Sequence, residues 1–75
     1  MNIDIRKSII NNFKDSSEDE IKKSIDESIK DSNELALPGL GVLFEVLWKN
    51  SDDKFRKEIT DKIKRNLMIS WVHYQ

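Results

Sequence analysis

Seventy-five residues with 13 basic and 14 acidic side chains and no cysteine describe one small domain without disulfides, thiol chemistry or a zinc–thiolate centre. A net charge of −1 excludes a whole-chain electrostatic attraction to nucleic acid or to an anionic membrane surface. The start lacks the long apolar run of a signal peptide, and the apolar stretch at residues 40–48 is far shorter than the roughly 20 residues that span a bilayer, so the chain reads as soluble and intracellular.

The spacing of Ile5, Ile9 and Phe13, with Ile10 beside them, predicts a first helix from about Asp4 to Phe13, capped by Asn2 or Asp4. Asn11, Asn12, Asp15 and Ser16 are turn formers that end it near Lys14. Ser17-Glu18-Asp19-Glu20 then reads as a capping box, in which serine and glutamate each satisfy the other's backbone N–H. Its three acids suit the positive end of the helix dipole. The second helix carries Ile21, Ile25 and Ile29 on one stripe, with Ser24, Ser28 and Ser32 alongside, a pattern that predicts close approach of a neighbouring helix. Its outer face spaces Glu18 from Lys22, Asp19 from Lys23 and Asp26 from Lys30 as opposite charges, each pair worth about 0.2–0.5 kcal/mol. That face reads as solvated, with an acidic docking patch as the other reading. Asp31-Ser32-Asn33-Glu34 ends the helix.

The segment Leu37-Pro38-Gly39-Leu40-Gly41-Val42-Leu43-Phe44-Glu45-Val46-Leu47-Trp48 is the most apolar part of the chain. Pro38 suits the first turn of a helix, and Gly39 and Gly41 permit close backbone approach or a sharp turn. Periodicity does not separate a buried strand from a buried helix here. A strand would have to pair with Met68-Ile69-Ser70-Trp71-Val72-His73-Tyr74, and two strands make a poor sheet, so a helix from about Pro38 to Lys49 is predicted. Glu45, its one acid, lies at the rim or is buried and paired with a lysine or arginine, and the rim is favoured because a buried unpaired carboxylate is costly. Asn50-Ser51-Asp52-Asp53 stops this helix and caps the next, in which Phe55, Ile59, Ile63 and Leu67 recur every four residues. The opposite face pairs Asp53 with Lys57, Glu58 with Lys62 and Asp61 with Arg65. Residues 66–75 form an aromatic tail that extends the helix, packs back over the core or meets another chain. The expectation is one all-α, four-helix domain over residues 1–75 with a central hydrophobic third helix. Ile21, Ile25, Leu43, Phe44, Leu47, Phe55, Ile59 and Ile63 are its expected core.

The residues offer little chemistry. His73 is the single histidine and has no acid in its helical neighbourhood, so neither a metal centre nor a serine–histidine arrangement is assembled. Gly39 and Gly41 match only the first two glycines of a dinucleotide fingerprint, and no strand precedes them. No catalytic, cofactor-binding or metal-binding residue is assigned, and no small-molecule substrate or membrane is expected. Residues 54–65 hold six basic side chains, but Glu58 and Asp61 interrupt them. A small helical DNA-binding or regulatory module is therefore the alternative, not the favoured reading. One narrow apolar stripe per flanking helix does not cover an apolar central helix, and the tail adds Met68, Ile69, Trp71, Val72 and Tyr74. A homodimer that uses the tail is expected.

The stretch from Leu37 to Trp48, with Leu37, Pro38, Gly39, Leu40, Gly41, Phe44, Glu45 and Trp48 as its marked positions, closely resembles the hallmark segment of the small acid-soluble spore protein I family of endospore-forming bacteria. Outside residues 35–50 the likeness is one of length and layout, and the aromatic ending differs from the polar endings of the family. The resemblance implies a minor, non-enzymatic protein made in the forespore and held in the spore core. It supplies no catalytic or ligand residues. Nothing in the chain resembles the DNA-binding helices of the alpha/beta-type spore proteins.

Overall fold

Side-chain oxygens start three of the helices. In the computed structural model, which describes residues 4–32 and 34–73, Asp4 accepts from the Lys7 N–H at 3.0 Å and opens α1 (Ile5–Phe13). The capping box forms as read: Ser17 Oγ accepts from the Glu20 N–H, and Glu20 Oε1 from the Ser17 N–H, both at 3.2 Å. It opens α2 (Glu18–Lys30), with three acids in its first turn. Asp52 accepts from the Phe55 N–H at 2.8 Å and opens α4 (Asp53–His73). Between them, a 3₁₀ turn (Glu34–Ala36) leads into α3 (Leu37–Lys49), which starts on Pro38 without a side-chain cap. The described residues thus form an all-α fold of four helices with no strand.

Two local findings refine the sequence reading. The chain leaves α2 through Ser32, whose φ of 50° lies in the left-handed region, where L-residues other than glycine are strained. Gly39 and Gly41, by contrast, make no turn: both lie inside α3 with ordinary negative φ. The tail takes the first of its three options, since α4 runs unbroken to His73. Tyr74 lies outside the described residues.

The C-terminus of α3 is closed by the residues that follow it. The Asn50 side-chain amide donates to the Val46 carbonyl at 2.8 Å, the Ser51 hydroxyl to that of Leu47, and Arg56 Nε to that of Trp48 at 2.9 Å. The Val46 and Trp48 carbonyls also accept from the backbone N–H groups of Asn50 and Ser51, at 3.3 and 3.2 Å. They fix the corner between α3 and α4.

Packing centres on α3, as its apolar sequence requires. Ile5, Ile9 and Phe13 of α1 meet Pro38, Gly39, Leu40 and Leu43 of α3, and Ser24, Ile25 and Ser28 of α2 close the same cleft. Ser24 and Ser28 line this cleft, but the close approach that the serine stripe predicts does not form: it is α1 that packs closely on α3. The depth of the core differs too. Only Val42 is buried among the described residues, at 7% exposure. Ile21, Ile25, Leu43 and Ile59 are half-buried, while Phe44, Leu47, Phe55 and Ile63 are exposed, contrary to expectation. The reason is geometric: three amphipathic helices around an apolar one leave part of its circumference open. The Cα radius of gyration, 14.2 Å, exceeds the about 11 Å of a compact chain of this length.

Candidate functional site

α3 presents two faces, and the marked residues of its motif divide between them. Pro38, Gly39 and Leu40 face the cleft shared with α1 and α2. A Cβ built on Gly39 would stand 3.7 Å from Ile9 Cδ1, an ordinary contact. Leu37 is exposed at the helix start. Gly41, Phe44, Glu45 and Trp48 line a second groove, whose far wall is Thr60 and Ile63 of α4. Its floor is open: apart from the chain neighbours of Gly41 and the backbone of α3 itself, no atom lies within 4 Å of where a Cβ on Gly41 would stand.

Aromatic and basic groups shape this groove. The rings of Phe44 and Trp48, one turn apart, sit 5.9 Å between centroids at 31°. The Arg56 guanidinium lies over the Trp48 ring at 5.3 Å. In the sequence Arg56 is only one of the six basic side chains at 54–65. Its role depends on the angle at the α3–α4 corner, which no local pattern encodes.

Glu45 sits at the rim, as expected, and it is paired. Arg6 of α1 donates to it at 2.8 Å, and Lys49 approaches at 3.3 Å. The hydrogen bond from Arg6 is the chief cause that holds its carboxyl below the usual range, with burial opposing and Lys49 assisting. Arg6 is a second residue that the sequence reading passed over. The available signal was its place beside the Ile5–Ile9 stripe opposite a lone acid.

The tail residues named for self-association stand in water. Leu67, Met68, Ile69, Trp71 and Val72 are all more than half exposed, with Trp71 at 65% and Val72 at 71%. Tyr74 is outside the described residues, and of His73 only the helical backbone is described.

Two of the six basic side chains at 54–65 are engaged within the fold. Arg56 is committed to Trp48, and Arg65 pairs with Asp61 at 2.7 Å. On α2, Lys22 pairs with Asp26 at 2.8 Å rather than with Glu18. Among the described residues no group of three His, Cys, Asp or Glu side chains could hold a metal ion, and no helix is long and apolar enough to cross a membrane. The arrangement offers apolar surface for binding.

Comparison with known proteins bears on this surface. The sequence model of the family described as small, acid-soluble spore protein I matches residues 3–67. Proteins of that name are similar to this chain: 36% identical over 67 residues in Bacillus cytotoxicus, covering 89% of this chain and 96% of the relative. In Halalkalibacterium halodurans the identity is 39% over 67 residues, covering 89% and 98%. A Bacillus cereus relative is 36% identical, covering 89% and 97%. No solved structure matches. The family match stops at residue 67, where the uncharged last third of α4 begins.

Proposed function

Because the chain belongs to the small acid-soluble spore protein I family, we propose that it is a non-enzymatic protein of the spore core that works in sporulation through structural or binding interactions. The observation that carries this reading is the apolar surface of α3 and α4, open to solvent at Phe44, Leu47, Ile63 and the tail. Such a surface suits association, since monomeric soluble proteins rarely leave so much apolar area uncovered. A small helical DNA-binding module remains the alternative, and the engagement of Arg56 and Arg65 within the fold weighs against it.

The test is fractionation of spores from a spore-forming host carrying the tagged gene. Tagged protein retained after the coat is stripped, and released only on rupture of the core, supports the reading. Signal confined to the coat fraction refutes it. Binding of the purified chain to duplex DNA, with affinity falling steeply as salt rises, would favour the alternative.

A further inference from the structure

The geometry points to a homodimer in which the α4 tail of each chain covers the α3–α4 groove of the other. The first ground is area. The accessible surface of the chain is 7058 Å², whereas a compact monomer of 8.8 kDa exposes about 4,800 Å². The excess, about 2,300 Å² per chain, is of the size that obligate homodimers bury, roughly 2,000–5,000 Å² or more for the pair.

The second ground is complementarity within one chain. A groove lined by Phe44, Trp48 and Ile63 lies open, and a protruding helix carries Leu67, Met68, Trp71 and Val72 in solvent. A shallow apolar groove and an exposed apolar helix end on the same molecule can cover each other reciprocally under a two-fold axis, the commonest symmetry of soluble oligomers. No charged residue occurs from 66 to 73, and the net charge is −1. Juxtaposed copies therefore face little like-charge repulsion.

The third ground explains why the chain does not cover its own tail. α4 has 21 residues against the 13 of α3, about 31 Å against about 20 Å. From their shared corner the last turns of α4 outrun α3, and the apolar side chains there have no α3 residue to meet. DNA fits less well, since an uncharged tail supplies no phosphate contacts.

The full chain tests this by sedimentation equilibrium at high-micromolar concentration, alongside the double variant Trp71→Asp/Val72→Asp. Both positions are exposed in the single chain, so its helicity by circular dichroism should be retained. The full chain is expected at twice 8.8 kDa, and the variant should weaken association by roughly thirtyfold or more. As a second arm, Met68→Cys in this cysteine-free chain should cross-link to a Gly41→Cys chain mixed with it, and Lys23→Cys on the outer face of α2 should not. A monomeric full chain overturns the proposal, and sedimentation of that monomer with phosphatidylglycerol vesicles would assign the surface to membrane. A dimer unaffected by the double variant overturns it as well, as does cross-linking that does not discriminate between positions 68 and 23.

Discussion

Arg56 holds Trp48 twice, by a guanidinium 5.3 Å above the ring and by an Nε–H donated to the Trp48 carbonyl at 2.9 Å. One side chain thus closes the end of α3 and sets its angle to α4. Arg56→Ala is expected to destabilise the chain by about 1–2 kcal/mol, combining a cation–π contact with a charged hydrogen bond. Arg56→Lys should recover little of this, because an ammonium lacks the planar fork that serves both contacts. Urea melts followed by tryptophan emission, in a Trp71→Phe background, measure both values.

Glu45 supplies a pH dependence. Its carboxyl titrates below its ordinary value because Arg6 donates to the ionised form. A depressed folded-state pKa gives stability that is full above the unfolded-state pKa and is lost as pH falls through the folded-state value. The stability gap between the native chain and Glu45→Gln should therefore be present at neutral pH and close in acid, below the usual carboxylate range. Paired thermal melts across that window check it, and a gap that stays constant with pH would refute the assignment.

The α2 capping box gives a local prediction. Ser17→Ala removes the acceptor for the Glu20 N–H and should cost about 0.5–2 kcal/mol. Because the Ser17 N–H and hydroxyl also lower the Glu20 pKa, the same substitution should move Glu20 back towards its ordinary value. Carboxyl carbon shifts followed by NMR titration would register the change.

Two backbone positions should be improvable. Ser32, with φ at 50°, strains a residue that has a Cβ, and Ser32→Gly should stabilise by about 0.5–1 kcal/mol after the cost of added chain entropy. Gly41 is helical with free space around its missing Cβ, so Gly41→Ala should add about 0.5–1 kcal/mol. Both are to be measured in dilute solution by chemical denaturation.

How far the sequence reveals this molecule depends on the range of each interaction. Asp4, Ser17 and Asp52 act on N–H groups three residues away, so helix starts are legible from local spacing. The Leu37–Trp48 segment pointed to its family through its own residues. Burial was less legible, because apolar spacing says which face avoids water but not whether the chain owns a partner to cover it. For Ile63 the four-residue repeat read as one inward stripe, but the groove that it lines with Phe44 and Trp48 stays open to solvent. The Arg6–Glu45 and Arg56–Trp48 contacts join separate helices and depend on angles that no short pattern contains. Ser32 lies in a run of three turn-forming residues, Asp31, Ser32 and Asn33, and sequence does not say that it takes the left-handed conformation.

That Val42 alone is buried among the described residues has a calorimetric consequence. Heat capacity rises on unfolding chiefly because apolar groups become hydrated, by about 12–15 cal/mol/K per residue in ordinary globular domains. A chain that already shows water Phe44, Phe55, Ile63 and Trp71 has less of that hydration left to gain. Its single-chain stability curve should be unusually flat, with a broad melt and little tendency to cold denaturation.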